Sequence, residues 1–440
     1  MALRERIPLL VSSFSAALLL FLIGFACSFF QWWPYSLLAT AFEQSTGLVD
    51  SSREHAHLRP ARYAETGLIQ GPTVATSPGI TLVSSYWHDD GGVAGVRLFD
   101  LEGNVLGHYR TAPLELWEES PHDDCATPTF HLEHNYVHGT HLFENGDLLF
   151  NVEYLGLVRM RPDGSVVWRL DRRTHHSVTR TERGDFWVCG AKCIGDNEEA
   201  LLRFRGTLTP LTEDLAMRVS ADGEVLQEVS ILEALRDSPY WPRVFQKHAP
   251  EAARYDVLHM NDVEELSTEM AAAYPMFEAG DLLISLRDID AVLVLDPDTK
   301  AIRWFEDSKT VMQHDPDFLG DGWISIYDNN PDGAEGLFRG GTRILGIRPE
   351  TGETRVLYER PAPPDHFFSE LAGKAQKLPH GGWILCEATG GRVLEVDAGR
   401  QVLWEWRKDR EPDGQSVAEI YAGDRYPFDP ETVRGWFSGR

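Results

Sequence analysis

Three histidines stand at one fixed distance from a glycine: His138 before Gly146, His176 before Gly184 and His314 before Gly322, each eight residues upstream. Each glycine opens an apolar, strand-like run, GDLLFNVEY, GDFWVCG and GWISIYD. A fourth unit carries His259-Met-Asn-Asp-Val263, then an insertion, then Gly280 and a strand followed by Arg287. A further unit places Lys374 and Gln376 near the aligned point. In a chain built from repeats, equivalent positions of successive units fall at equivalent points in space, so residues remote in sequence become neighbours. Several imidazoles and one guanidinium around one cavity suit an oxyanion, because arginine presents a planar fork of donors and imidazole can donate, accept or attack. His176, His259, His314 and Arg287 are therefore the candidate catalytic set, and His138, Lys374 and Gln376 candidate substrate contacts. Taken singly, each has a plainer reading: a histidine tying strands together, or an arginine in a surface ion pair. Joint placement is what favours chemistry.

Other groups point less sharply. His131, His134, His138 and His141 have a spacing that would line one helix face and hold a metal, but a strand follows at once, so no metal is assigned. Asp315 is placed to orient the ring of His314 or to form a turn. No G-x-x-x-x-G-K-[ST] phosphate loop occurs, and no cofactor is expected. Trp87, Tyr154 and Phe367 are candidates for an aryl-binding mouth, with core packing as the competing role.

The elements that must position these residues are short strands. Runs such as GDLLISL, AVLVLDPDTKAIRWFE and GRVLEVDAGRQVLWEW alternate with tight turns such as Pro162-Asp163-Gly164, and six copies of this unit begin near residues 79, 138, 175, 259, 312 and 370. Helical sequence is confined to insertions at 229–238 and 262–273. The fold expected is all-β, a six-bladed β-propeller over residues 76–440. A pair of β-sandwiches is the alternative. Residues 8–30 contain no charge, which is long enough to cross a bilayer. Arg4 and Arg6 precede this segment and few basic residues follow, so the N-terminal transmembrane helix within residues 1–35 would leave the propeller on the periplasmic or extracellular side. A cleaved signal peptide ending near Ala39-Thr40-Ala41 competes with that reading. Residues 36–75 read as a linker. Asp and Glu number 68 against 41 Lys and Arg, a net charge of -27, which argues against a nucleic-acid surface. Cys189 and Cys193 could close a small loop or pair with Cys125, or they could be free buried thiols. The sequence leaves the oligomeric state open.

His175-His176-Ser-Val, His259-Met-Asn-Asp-Val263 with Ser285-Leu-Arg287, Gln313-His314-Asp315 with Tyr327-Asp328-Asn329, and Gly390-Gly-Arg-Val-Leu-Glu-Val396 together resemble the bacterial arylsulfate sulfotransferases, the arylsulfotransferase family of six-bladed propellers. The resemblance covers most of residues 79–430, with Met260 where an aromatic is common and an insertion at 267–279. It implies a sulfotransferase that moves a sulfuryl group from a small aryl sulfate donor to a phenolic acceptor without a nucleotide. It also implies that His314 is transiently sulfated while His259, Arg287 and His176 surround the sulfuryl group. A non-catalytic membrane-tethered propeller that binds a ligand or protein, and a sulfate-ester hydrolase, are the alternatives.

Overall fold

The computed structural model describes residues 15, 18–24, 57–122, 136–194, 204, 211–245, 256–360 and 365–438. Each blade is one antiparallel sheet; in five of them the strand that opens the repeat sits at one edge, and in the blade beginning near residue 79 that edge is taken by a strand from the C-terminal end. These six edge strands are β1 (Val137–Leu142), β2 (Arg173–Arg180), β3 (Met260–Glu265), β4 (His314–Phe318), β5 (Lys374–Lys377) and β6 (Ile420–Tyr426). Each touches the next, and β6 returns to β1, so they close a ring around a central channel. The other strands of each sheet extend outward. This is the six-bladed propeller expected from the sequence.

The apolar runs follow from this arrangement, because a blade is covered on both faces by its neighbours. In the strand after β1, Leu148, Phe150 and Val152 pack toward the β6 blade, while Leu149 packs toward the β2 blade. Turn glycines fix the hairpin that follows each inner strand: Gly146, Gly184 and Gly322 have φ of 84°, 87° and 83°, a left-handed conformation that a side chain disfavours. The constant distance from histidine to glycine thus records the length of one inner strand and its turn.

The ring closes in a way the repeat pattern does not reveal. β6 comes from the C-terminal end and pairs with Ile80–Trp87, whose sheet continues through Val93–Phe99 and Val105–Arg110. The stretch read as a linker is also partly built in. Leu58–Pro60 pairs with Ser416–Ala418, and Gly67–Gln70 adds a fifth strand to the β5 blade. Arg62 fastens this segment through an ion pair to buried Glu387 at 2.7 Å. Residues 57–440 form one compact unit and residues 1–56 another.

The insertion at 262–273 is helical only over Thr268–Ala271, because residues 262–265 still belong to β3, where Val263 pairs with Ile284 and is buried. The other insertion forms Ile231–Arg236, capped by Ser230. Cys189 is a buried free thiol, whereas Cys193 is disulfide-bonded to a partner outside the described residues. The two share one extended strand, Phe186–Ile194, where four residues span about 13 Å, too far to bridge. Among the described residues no helix is long and apolar enough to cross a membrane. Most of the uncharged segment at 8–30 lies outside the described residues; 18–24 are helical and exposed.

Candidate active site

Five of the six inner strands slip register at the same level: between Val137 and Thr140, His175 and Val178, Met260 and Asp262, His314 and Asp317, and Ile420 and Ala422. A bulge bends the strand and re-aims the side chains beside it. His176, His259 and Asp315 adopt φ of 49°, 49° and 48° at these breaks, a conformation that costs non-glycine residues roughly 1–3 kcal/mol. What the strain achieves is a cluster of rings. His176 lies 4.3 Å from His138, 4.9 Å from His259 and 6.5 Å from His314, ring centre to ring centre. The four histidines inferred from spacing are thus brought together from four blades.

His314 has a defined tautomer. Its Nδ1 lies 2.7 Å from Asn329 Oδ1 and 3.1 Å from the Met312 carbonyl. Asn329 Nδ2 donates to the carbonyls of Ser369 and Ala372, which fixes the amide with Oδ1 toward the ring. With two acceptors at Nδ1, that nitrogen carries the proton and Nε2 keeps its lone pair. Burial, and then the charge of Arg287, push His314 well below the usual imidazole range, so the ring is neutral near pH 7. Arg287 follows the strand Leu282–Leu286, and its Nε is held by Asp288 at 2.7 Å. Asp315, a candidate orienter of His314, does something else: its Oδ2 accepts the backbone N–H of Ala375 at 2.7 Å.

His259 is oriented by a carboxylate. Its Nδ1 lies 2.6 Å from Asp256 Oδ2, while Asp256 Oδ1 accepts its backbone N–H. Burial works to raise Asp256, but the facing His259, their hydrogen bond and Arg287 outweigh it and hold the carboxyl below the usual range. The proton therefore sits on Nδ1, leaving Nε2 to exchange. The side chains of His259 and Arg287 are 16% and 22% exposed, so solvent reaches the cluster from this side.

Glu153 is buried between two of the rings, 3.2 Å from His176 Nδ1 and 3.6 Å from His138 Nδ1, and accepts the backbone N–H of His176. His175 Nδ1 meets His176 Nδ1 at 2.9 Å, and Tyr154 stacks on His175 at 4.6 Å. Burial pushes His175 down to about 4 and, with the neighbouring imidazoles, depresses His176 as well. Tyr136 and Tyr421, stacked at 4.2 Å, lie 5.8 and 5.5 Å from His138. Glu153 and Asn329 share a repeat position, each seven residues after its turn glycine, Gly146 and Gly322, as Arg287 stands after Gly280. Asp256, Tyr136 and Tyr421 have no such mark.

Lys374 and Gln376 are not part of the cluster. They lie further along the channel with Asp262, Glu264, Asp315, Asp317 and Asp424. Lys374 Nζ is 3.8 Å from Asp315, and the Gln376 amide is occupied on both sides by the backbone of Arg425. Of the proposed mouth aromatics, Tyr154 borders the histidines. Trp87 packs on Phe99 and Trp406, and Phe367 on Tyr327 and Tyr358. His131 and His134 lie outside the described residues, and His141 stacks edge-on to Phe143 and Phe186.

Fold and site together define a propeller with an imidazole-lined channel and one arginine beside it. The family model of the arylsulfotransferases (ASST) matches residues 139–409. The chain belongs to the arylsulfotransferase family. No curated protein matches it. Similar solved structures include a protein of unknown function from Bacteroides caccae, at 13% identity and TM-score 0.47, covering 76% of this chain and 94% of that one. Virginiamycin B lyase from Staphylococcus aureus matches at 12% identity and TM-score 0.38, covering 80% and 88%. The WD40 propeller domain of Doa1 matches at 11% identity and TM-score 0.40, covering 81% and 94%.

Proposed function

We propose that this member of the arylsulfotransferase family transfers a sulfuryl group from an aryl sulfate ester to a phenolic acceptor through a sulfohistidine at His314. The observation that carries the reading is the tautomer of His314: Asn329 and the Met312 carbonyl hold Nδ1–H, so Nε2 offers its lone pair. A neutral imidazole is a competent nucleophile toward the sulfur of a monoanionic ester once a cation gathers its oxygens. Arg287, whose charge is felt at His314, is that cation.

In the first half-reaction His314 Nε2 bonds to sulfur, the aryl S–O bond breaks, and the bonding pair leaves with the phenolate. His259 enters this step as the imidazolium, its Nδ1–H kept on Asp256, and delivers the second proton from Nε2 to the departing oxygen, whose conjugate acid has a pKa of about 10, leaving His259 neutral. His176 lines the same space. In the second half-reaction an acceptor phenol returns its proton to His259, its oxygen bonds to sulfur, and the S–N bond to His314 breaks. Tyr136, Tyr154 and Tyr421 border the cluster and provide aryl surface. Disulfide-bonded Cys193 supports an oxidising compartment, and the uncharged segment at 8–30 supports a membrane anchor with the propeller outside.

The test uses purified full-length protein, 4-nitrophenyl sulfate and phenol, with no nucleotide added. Release of 4-nitrophenol together with phenyl sulfate is the expected result, and His314→Ala abolishes both. Inorganic sulfate as the product would instead mark a hydrolase, and no turnover a binding propeller.

A further inference from the structure

We propose that His138, Glu153 and His176 form a binding site for one first-row divalent cation of the zinc class. The three offer one ligand atom each within 4.8 Å of one another, and all three residues are buried. The separations are close to those of a coordination shell. His176 Nδ1 lies 3.2 Å from Glu153 Oε1 and His138 Nδ1 3.6 Å from the other oxygen, Oε2, while zinc bonds of about 2.0–2.2 Å place tetrahedral ligand atoms roughly 3.4 Å apart, so a small turn of the carboxylate brings one oxygen to both rings.

A second observation concerns the same nitrogen. His138 Nδ1 is buried and makes no hydrogen bond among the described residues, the Glu153 carboxylate at 3.6 Å lying just beyond reach of one. Leaving such a group unsatisfied costs about 1–3 kcal/mol, so a native protein has reason to fill the position. The two histidine-bearing strands are also locked together. Asn151 accepts the Gly139 N–H through Oδ1 and donates Nδ2–H to the His176 carbonyl, so the ligand backbones are held before any ion arrives. Preformed, cross-braced ligands are what a metal site requires.

Charge and donor type select the ion. Imidazoles balance the buried carboxylate of Glu153 only when protonated, whereas a divalent cation balances it with neutral rings. Two nitrogens and one carboxylate oxygen, without thiolate, suit borderline cations such as Zn²⁺ or Co²⁺ better than Cu⁺ or Ca²⁺. Loading gives up the 2.9 Å hydrogen bond between His175 and His176, whose Nδ1 would turn to the metal. With three protein ligands a coordination position stays open, as in catalytic rather than structural zinc sites. That position suits an oxygen of an anion.

The site is tested without substrate, so its failure and the failure of the sulfuryl-transfer reading are separate results. Untagged full-length protein is stripped with chelator and titrated with Co²⁺, followed by visible absorption, and with Zn²⁺, followed by calorimetry. One equivalent should bind, and His138→Ala and Glu153→Gln should each weaken binding at least tenfold. His141→Ala, on the same strand but stacked against Phe143 and Phe186, should bind as the wild type does. Circular dichroism checks folding, and X-ray absorption of the zinc-loaded wild type, which needs no variant, should report a shell of two imidazoles with oxygen. No saturable binding, wild-type affinity in a folded Glu153→Gln, or a shell containing sulfur would overturn the proposal.

Discussion

A single side-chain amide decides what His314 can do. Asn329 cannot rotate without losing its bonds to the Ser369 and Ala372 carbonyls, so its oxygen stays on Nδ1 and the lone pair stays on Nε2. Asn329→Ala should therefore lower kcat by roughly 10–100-fold with little change in KM, the loss typical of removing a group that orients a reacting imidazole. Steady-state kinetics check this, and a kcat within twofold of wild type would show that the tautomer is held by something else. The histidines themselves were legible in the sequence because the turn glycine that follows each inner strand sets a constant offset. Two of their partners carry a mark of the same kind, Glu153 and Asn329 each standing seven residues after a turn glycine, whereas Asp256 carries none, and only the folded chain puts the three 2.6 to 3.6 Å from an imidazole. Lys374 and Gln376 have the right alignment but sit among carboxylates, because the β5 blade shows no bulge to turn them toward the rings.

At the scale of the element, the residues flanking the histidines do the bracing. Gln313 is fully buried between the β3 and β4 blades, and its Nε2 reaches Ser285 Oγ and the carbonyls of Leu286 and Ala291. Asn261 in turn donates to the Gln313 carbonyl, so the Gln-His and His-Met-Asn segments clamp each other across the blade boundary. The polar neighbour in each motif is structural, and it leaves the histidine to face the channel. Gln313→Ala leaves three acceptors without their donor and should cost roughly 2–4 kcal/mol of stability. A drop in the urea midpoint with an unchanged slope is the expected reading; an unchanged midpoint would mean that the clamp is dispensable. The blades were legible because their apolar runs are buried on both faces. The helical reading of 262–265 failed for the same reason, since Val263 is a strand residue paired with Ile284.

At the scale of the molecule, the channel carries buried charge along its length. Burial, followed by the neighbouring carboxylates, raises Asp262 and Glu264 to about 8 each, and raises Asp317 and Asp424 as well. Between the ordinary carboxyl range near 4 and that value, the folded chain holds protons that the unfolded chain has released, so these groups make stability fall as pH rises. His141 and His175, lowered to about 4, act oppositely, but only up to about pH 6.5, where the unfolded imidazole has lost its proton. From there to about pH 8, where buried Lys408, lowered to about 8, begins to act oppositely, the carboxylates dominate. The urea midpoint should therefore fall from pH 6.5 to 8, and less so in Asp262→Asn; a midpoint that rises over this window would contradict the assignment. Ring closure was the part of the architecture hidden from the sequence, because Ile420–Tyr426 meets Ile80–Trp87 across almost the whole chain and belongs to no local repeat. What the ring achieves is convergence, four blades delivering His138, His176, His259 and His314 to one place. The most direct measurement of what that convergence is for is mass spectrometry of protein quenched in acid-free buffer during turnover of 4-nitrophenyl sulfate. A mass increase of one SO₃ on the peptide carrying His314, discharged by added phenol, is the predicted result. Turnover with an unmodified His314, or a sulfuryl group on another residue, would contradict it.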